Sequence, residues 1–425
     1  MTGADETAPI DETVALRAYL DASPSPWHAV ESAVALLAAA GFVGLDERDP
    51  WTDVPADGYV TRGGALIGWR RPATGVPRAA HIVGAHTDSP GLRLKPNPQI
   101  TRAGCQQLGV EVYGGVLLNS WLDRDLGVAG RLVLADGSAV LLRVGQPVAR
   151  VPQLAIHLDR DVNERGLVLD RQQHLTPVWA TDPGLDLVDW LQVASGADAP
   201  PAWWELCLFD VQPAAVLGAD RSLLASGRLD NQVSCWAATT ALVAASPTDD
   251  LAVIALFDHE EVGSASTTGA SGPFLASILE RLHDARRGTR DDYHRLLAAS
   301  SCVSADNAHA VHPNYPERHD PEHAPLVNCG PAIKVNASQR YASSADTAQQ
   351  FALAAERAGV PVQTFVSRNN VPCGSTIGPL TATRLGIATV DVGVPQLSMH
   401  SARELCGVRD PVWLAAALGE YLTVE

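Results

Sequence analysis

The stretch LAVIALFDHEEVGS, residues Leu251–Ser264, decides the fold of this chain. Its seven apolar residues, Leu251–Phe257, run without a break and end at four acidic or histidine residues. A short continuous apolar run beside a polar turn is typical of a strand buried on both faces, as in a parallel sheet. The stretch AAHIVGAHTDSPG, Ala79–Gly91, has the same order, with His86 and Asp88 after the apolar run. Two such strands predict a parallel sheet with polar groups at its carboxyl edge.

From Gly227 onward, strand patterns alternate with helical ones, which predicts an α/β fold of three layers with helices on both faces of a mostly parallel sheet. The pattern between residues 95 and 218 is different. Two apolar runs flank Asp136-Gly137, which predicts a hairpin, and further strand patterns lie at Leu154–Leu158 and Trp204–Val211. We therefore expect a discontinuous α/β domain, residues 1–94 plus 219–425, with an inserted β-rich second domain at residues 95–218.

The composition indicates a folded, acidic chain of 425 residues. Its formal charge of −17 argues against nucleic-acid binding, because phosphates are bound by a surplus of Lys and Arg. Seven scattered cysteines without a Cys-x-x-Cys pair predict reduced thiols in a cytoplasm and argue against a thiolate metal site. The polar start Met1–Glu12 lacks the pattern of a signal peptide, and Ala29–Leu45 is too short for a membrane span, so we expect no membrane partner.

Five polar clusters lie close to the ends of predicted strands or helices. They are HTDSPG (His86–Gly91), RLDNQ (Arg228–Gln232), DHEEVGS (Asp258–Ser264), SADNAH (Ser304–His309) and MHSARE (Met399–Glu404). Four of them follow a predicted strand, and RLDNQ precedes a helix. Because the carboxyl ends of the strands in an open α/β sheet lie at one edge, we expect the five clusters to meet there.

The side chains in these clusters are histidines and carboxylates, which suit a catalytic zinc, cobalt or manganese site better than a structural zinc site. Two divalent ions about 3.5–4 Å apart need a shared carboxylate and further ligands on each side. The count fits Asp230 as the bridge and four terminal ligands, His86, Glu261, Asp306 and His400. Glu260 is then free to act as the general base, and Asp88 could orient a histidine ligand.

Each of these groups also has an ordinary structural interpretation. Asp230 could cap the helix that follows it, Asp306 could form an Asx turn, and the Glu260–Glu261 pair could be a solvated helix start. The segment His86–Gly91 could be a surface turn, and His400 could be a loop histidine. The agreement of five clusters favours the metal site over five separate coincidences.

Seven motifs span the chain in a fixed order: HTDSPGLRLKP, RLDNQ, DHEEVGS, SADNAHAVHPNY, IKVNASQRY, CGSTIGP and MHSARE. In this set the chain resembles the M18 family of metallopeptidases, from about Trp27 to Leu422. The resemblance implies two metal sites and a base, with one metal held by His86, Asp230 and Asp306, a second by Asp230, Glu261 and His400, and Glu260 as the base. These assignments coincide with the ligand count above and are not independent of it.

The resemblance also implies a mechanism and a substrate. Similar enzymes, the aspartyl aminopeptidases, activate a bridging water with two metals and a carboxylate base, and remove an acidic residue from peptides with a free N-terminus. Lys334 and Tyr341 would contact the substrate side chain, although SQRY departs here from the commoner NQRY. His157 matches a histidine that enters the site of a neighbouring subunit, so the resemblance implies a homo-oligomer, typically a dodecamer.

Other functions stay open at this point. An M18-like enzyme could prefer neutral or hydrophobic residues, and a two-metal deacylase or carboxypeptidase would need no free amine. An inactive assembly protein could keep the fold, although it would have no reason to keep Glu260. Structural alternatives also exist, since Lys334 could extend from an edge strand and His157 could be a core histidine. The irregularly spaced His309–His323 cluster is interpreted as a mobile or supporting loop.

Overall fold

The computed structural model describes residues 13–72, 75–246 and 248–423. Within these residues ten α-helices are present: α1 Val14–Ala22, α2 Pro26–Ala39, α3 Val162–Arg165, α4 Leu187–Ser195, α5 Leu229–Ala244, α6 Phe274–Asp284, α7 Arg290–Ala299, α8 Ala345–Arg357, α9 Ile377–Leu385 and α10 Asp410–Leu422. Four 3-10 helices lie at Leu118–Trp121, Ile156–Leu158, Glu260–Val262 and Pro316–Arg318. The stretch Met1–Glu12, for which the sequence predicts no signal peptide, lies outside the described residues.

The same residues form three sheets. Their strands are β1 Val43–Leu45, β2 Asp57–Arg62, β3 Ala65–Arg70, β4 Ala80–His86, β5 Gly91–Arg102, β6 Cys105–Tyr113, β7 Leu126–Leu134, β8 Ala139–Ala149, β9 Val178–Ala180, β10 Pro201–Asp210, β11 Ala215–Leu217, β12 Leu223–Ser226, β13 Leu251–Phe257, β14 Ser301–Ala305, β15 Ala308–His309, β16 Ala332–Val335, β17 Gln363–Val366, β18 Ala388–Gly393, β19 Pro395–Leu397 and β20 Glu404–Gly407. The strand orders are β1-β2-β3-β13-β4-β14-β18-β16-β17, β8-β7-β10-β5-β6-β9 and β11-β12-β20-β19-β15.

The nine-stranded sheet is the centre of the α/β domain. Its four middle strands, β13, β4, β14 and β18, run parallel, and Phe257 at the end of β13 lies beside His86 at the end of β4. On either side, β3 and β16 pair antiparallel with this parallel group. The two apolar runs that predict buried parallel strands are therefore direct neighbours, and their polar followers share one edge.

Helices cover both faces of this sheet. Because successive side chains of a strand point to opposite faces, each central strand contributes to the apolar core on either side. In β4, Val83 and Ala85 belong to the core formed with α1, α2, α5, α8 and α10. Ala80 and Ile82 of the same strand belong to the core formed with α6, α7 and α9. All residues of β4 and β13 are buried. The predicted three-layer arrangement is confirmed.

The six-stranded antiparallel sheet lies between Gly91 and Asp210 and is the centre of the β-rich domain. It has its own apolar core, separate from the cores of the α/β domain. The hairpin predicted around Asp136-Gly137 is confirmed, since β7 and β8 pair antiparallel and Gly137 has a φ of 84°, which suits glycine.

The strand predicted at Leu154–Leu158 is wrong. Residues Ile156–Leu158 form a 3-10 helix, and Leu158 is 75% exposed. Pro152, which lies just before this segment, has no N–H to donate to a sheet ladder. Leu154, Ile156 and Leu158, whose spacing is typical of a strand, are therefore exposed to solvent rather than buried in a core.

Two parts of the fold have no clear pattern in the sequence. Strands β1–β3 extend the main sheet, and two strands of the five-stranded sheet, β19 and β20, flank the loop that contains Met399. The strands of that small sheet are only two to four residues long, too short to show alternation. Among the described helices, none has the length and apolar character that crossing a bilayer requires.

Candidate metal centre

All five polar clusters meet at the carboxyl edge of the nine-stranded sheet. His86 ends β4, the Glu260–Glu261 pair follows β13, and Asp306 follows β14. Because these three strands are parallel neighbours, their ends bring the groups together. Asp230 lies near the start of α5, where its backbone angles are not helical, and His400 lies in the loop between β19 and β20.

Asp230 lies between the two histidines. Its Oδ1 is 3.4 Å from His86 Nε2, and its Oδ2 is 3.4 Å from His400 Nε2. Asp306 Oδ1 is 3.5 Å from the same His86 nitrogen, and Glu261 Oε1 is 3.5 Å from the same His400 nitrogen. Two atoms bound to one zinc ion at about 2.0–2.2 Å in a tetrahedron stand about 3.3–3.6 Å apart. The spacing suits two ions that share Asp230.

The charge of this donor set also fits cations. Asp230 is 3% exposed, and no described residue forms a hydrogen bond with its Oδ1. Burial, followed by the charge of Asp230, raises the pKa of Glu261. Burial, more than the neighbouring carboxylates, raises the pKa of Glu260 to about 7. Buried carboxylates this close together repel one another unless protons or cations neutralise them, and a pair of divalent cations would do so.

Asp88 forms hydrogen bonds that position three residues of the site, His86, Glu260 and Glu261. Its fully buried carboxylate accepts hydrogen bonds from the backbone N–H of Glu260, 3.0 Å from Oδ1, and of Glu261, 3.1 Å from Oδ2. His86 Nδ1 lies 3.4 Å from the Asp88 carboxylate and 2.9 Å from its backbone carbonyl oxygen. These contacts turn His86 Nε2 towards Asp230 and fix the 3-10 helix that carries both glutamates.

A short segment of the β-rich domain, Tyr113–Gly115, contacts the same groups. Tyr113 donates its hydroxyl proton to Asp88 Oδ2 over 2.7 Å, and the carbonyl oxygen of Gly115 lies 2.9 Å from His400 Nδ1. A Cβ at position 114 would stand 3.1 Å from Glu261 Cβ, and one at position 115 would stand 3.2 Å from His400 Nδ1. The two glycines therefore allow a close approach of the backbone. The only sequence signal of this segment is a Gly-Gly pair after a strand, which does not by itself indicate a functional role.

Glu404 is a functional candidate that the sequence analysis misses, although it belongs to the MHSARE motif. It is 2% exposed, and its carboxylate accepts hydrogen bonds from the backbone N–H groups of Asp230 and His400. A carboxylate at the start of the otherwise apolar strand β20 is the signal that could have identified it.

Lys334 lies inside the main sheet, because β16 is flanked by β18 and β17. Its side chain is 2% exposed, and Nζ donates to Asp306 Oδ2 over 3.3 Å and to the Asn307 carbonyl over 3.2 Å. The interpretation as an edge lysine is therefore wrong. The Tyr341 ring lies 5.0 Å from Nζ. Lys334 and Tyr341 line a cavity of about 520 Å³ together with the five candidate ligands and Glu260.

His157 is not among the described residues that line this cavity in its own chain. It lies on the 3-10 helix Ile156–Leu158 of the β-rich domain and is exposed, so the interpretation as a core histidine is wrong. In the His309–His323 loop, His319 Nε2 accepts the His312 N–H over 3.1 Å. Candidate ligand groups found in the described residues do not include this loop.

Comparisons with known proteins identify the family of this chain. The family model described as "Aminopeptidase I zinc metalloprotease (M18)" matches residues 19–194 and 199–421. A relative from Streptomyces coelicolor, named probable M18 family aminopeptidase 2, is 52% identical over 96% of this chain and 96% of its own. A relative of the same name from Mycobacterium tuberculosis is 47% identical over 96% of this chain and 97% of its own.

Two solved structures are similar over nearly the whole chain. The mApe1 dodecamer of S. cerevisiae has a TM-score of 0.85 at 27% identity, covering 97% of this chain and 96% of that one. An M18 family aminopeptidase from Thermotoga maritima has a TM-score of 0.85 at 25% identity, covering 96% of this chain and 95% of that one. The geometry, the family model and the full-length relatives agree: this chain belongs to the M18 family of zinc metallopeptidases and is an M18 aminopeptidase.

Proposed function

We propose that this aminopeptidase uses two metal ions and prefers peptides that begin with Asp or Glu. The observation that carries the proposal is Asp230, whose two oxygens each face a different histidine at 3.4 Å. His86 and Asp306 would complete the ligands of one ion, and Glu261 and His400 those of the other. When bound, such a pair of cations polarises the scissile carbonyl and lowers the pKa of a shared water. Zinc fits these donors, as cobalt and manganese also would.

Glu260 is the proposed general base. A carboxylate oxygen of Glu260 and ligand atoms of His86 and Glu261 all lie within 4.8 Å of one another. Burial raises the pKa of Glu260, which makes its carboxylate a stronger proton acceptor than an exposed glutamate. Glu260 would accept the proton of the attacking water and deliver it to the leaving amine. Its backbone contact with Asp88 holds it in place for both transfers.

The preference for acidic residues rests on Lys334. An ammonium group has three donors, and Lys334 uses two of them on Asp306 and Asn307. The described residues offer no acceptor to the third donor, which could bind a carboxylate in the cavity, where Lys334 supplies local positive charge against a net charge of −17. Tyr341 would help to position that carboxylate. An alternative preference for neutral side chains has some support, because Leu380 and Met399 also line the cavity.

The lining of the cavity disfavours two other functions. A deacylase or carboxypeptidase needs arginine to bind a substrate carboxylate, and the described residues that line the cavity include no arginine. An inactive assembly protein would have no use for a buried carboxylate such as Asp230, whose two oxygens each face a different histidine.

We also propose that residues 95–218 form an oligomerisation domain and that His157 enters the cavity of a neighbouring subunit in a dodecamer. His157 is exposed, and the apolar side chains beside it, Leu154, Ile156 and Leu158, are exposed at 58%, 46% and 75%. Exposed apolar groups in a contiguous patch are typical of a protein interface. All seven cysteines are free, which fits a reducing compartment such as the cytoplasm.

The experiment that tests the specificity compares rates on Asp-, Glu-, Leu- and Lys-peptides for the wild type and Lys334→Ala. A charge-assisted hydrogen bond contributes about 1.5–3 kcal/mol, so the substitution should reduce the advantage of Asp over Leu by roughly 10- to 150-fold. Lys95, the only other lysine of the chain, supplies the control Lys95→Ala, which should leave the advantage unchanged. Equal wild-type rates on all four peptides would reject the acidic preference and leave the peptidase activity standing.

A second experiment tests the mechanism. Glu260→Gln should keep its metal content and lose turnover, because the amide cannot accept a proton. N-acetylation of the peptide should abolish wild-type activity if a free amine is required. A highly active Glu260→Gln variant, or fast hydrolysis of the acetylated peptide, would contradict the proposal.

A further inference from the structure

Glu404 holds the backbone of two candidate metal ligands from two different parts of the chain. It is the first residue of β20 and pairs with Ser226 of β12, just before the turn that leads to Asp230. Glu404 Oε2 accepts the Asp230 N–H over 3.0 Å, and Oε1 accepts the His400 N–H over 2.7 Å. Each oxygen of one buried carboxylate therefore binds one of these two residues.

Neither ligand has its backbone N–H in a regular hydrogen-bonding pattern, because Asp230 lies in the first turn of α5 with non-helical angles and His400 lies in a loop. Asp230 has a φ of −84° and a ψ of 105°, which is ordinary extended backbone, whereas His400 has a φ of 67°, in the left-handed region that side chains rarely adopt. A residue in a rare conformation, such as His400, persists only where surrounding contacts fix it. An N–H group that is buried without an acceptor is destabilising, and Glu404 supplies the acceptor in both cases.

A short network of buried hydrogen bonds connects Glu404 with Asn307, the residue that follows the candidate ligand Asp306. Gln396 Nε2 lies 3.4 Å from Glu404 Oε1, and Gln396 Oε1 accepts Asn307 Nδ2 over 3.1 Å. Asn307 directly follows Asp306 and also donates to the Leu229 carbonyl over 2.8 Å. Glu404, Gln396 and Asn307 are 2%, 1% and 4% exposed, so solvent does not compete for these bonds.

We infer that Glu404 is a positioning residue for the metal pair, which orients Asp230 and His400 through their backbone and does not itself bind an ion. It complements Asp88, which orients His86, Glu260 and Glu261 in a similar way. The inference rests on the proposed assignment of Asp230 and His400 as ligands. Loss of a group that orients ligands typically weakens metal binding by about 10- to 100-fold.

The test is the metal affinity of Glu404→Gln in the full-length chain. Glutamine has one acceptor oxygen, so its amide would face one of the two N–H groups with donors of its own. We would remove metal with a chelator and titrate Zn²⁺ back against a competing chromophoric chelator. The dissociation constant of the weaker Zn²⁺ step should rise about 10- to 100-fold.

Asp410→Asn is the matched control. Asp410 is also a buried carboxylate that accepts two backbone N–H groups, from Asn328 over 2.6 Å and Gly330 over 2.9 Å, but it does not line the metal cavity. Its substitution should lower the melting temperature of the metal-free protein, as Glu404→Gln also should, and leave both Zn²⁺ constants within twofold. This comparison separates a loss of stability from a loss of ligand orientation.

Wild-type Zn²⁺ affinity in Glu404→Gln would overturn the inference and leave Glu404 a purely structural residue. If Glu404→Gln does not fold, Glu404→Asp keeps the charge and both acceptor oxygens but shortens the side chain by one carbon. That variant should also weaken the second Zn²⁺ step, and unchanged binding would equally overturn the inference. A wild-type protein that binds fewer than two ions would instead contradict the proposed metal pair, which is a different failure.

Discussion

Replacing Asp88 with asparagine should reduce catalysis strongly, although Asp88 is not a proposed metal ligand. The carboxylate accepts the Glu260 N–H with Oδ1 and the Glu261 N–H with Oδ2, at 3.0 and 3.1 Å. An asparagine offers one acceptor oxygen, so its NH₂ group must face one of these N–H groups, and donor then opposes donor.

The size of the effect follows from these contacts. Leaving one buried N–H group unsatisfied costs about 1–3 kcal/mol, and loss of the charge beside His86 removes a further interaction. If the 3-10 helix moves to relieve the conflict, Glu260 is displaced from its working position. A cost of that size expressed in the transition state corresponds to a decrease in kcat/KM of roughly 5- to 150-fold.

The assay is kcat/KM on an aspartyl anilide at saturating Zn²⁺, with metal content measured in parallel. Tyr113→Phe is the control, since it removes the 2.7 Å hydrogen bond to Asp88 but leaves both backbone contacts intact. Its effect should be smaller than that of Asp88→Asn, because both backbone N–H groups keep their acceptors and the negative charge beside His86 remains. An Asp88→Asn enzyme within twofold of the wild type would refute the reasoning.

Two further predictions concern the whole protein. Removal of metal with EDTA should abolish activity and lower the melting temperature, because Asp230 and Glu261 then lie close together without cations. Activity that persists without bound metal would contradict the two-ion site. Burial, with Arg143 and Arg228 nearby, lowers the pKa of His28 from 6.5 to about 4. Between these pH values the imidazole of His28 is protonated in the unfolded chain but neutral in the folded one. The free energy of unfolding is therefore highest above pH 6.5 and should fall by up to about 3 kcal/mol as the pH drops towards 4. His28→Gln should show a smaller loss of melting temperature over this range, and an identical loss would contradict the assignment.

Much of the main sheet and of the ligand set could be predicted from the sequence. Continuous apolar runs such as Leu251–Phe257 identify buried parallel strands without reference to any other part of the chain. Once these strands are parallel neighbours, the residues that follow them must share one edge. That rule alone brings His86, Glu261 and Asp306 together.

The remaining features depend on contacts that no local pattern encodes. The exposed segment Leu154–Leu158 has the composition of a strand, and only the absence of a pairing partner among the described residues decides its structure. Lys334 in an apolar run suits an edge as well as a buried ion pair, and the neighbouring strand decides between them. The supporting contacts of Tyr113 and Glu404 join segments that are far apart in sequence, so periodicity cannot detect them.

The contacts of the segment Tyr113–Gly115 make catalytic activity depend on the folding of the β-rich sheet. One end of it anchors the carboxylate behind His86, and the other touches the imidazole of His400, yet the segment itself continues from a strand of the β-rich sheet. A chain in which that sheet has not yet formed would lack both braces. Peptide hydrolysis therefore requires that the β-rich sheet is folded and in contact with the metal site. In a denaturant series, turnover should be lost together with the β-rich sheet, even while the nine-stranded sheet is still intact.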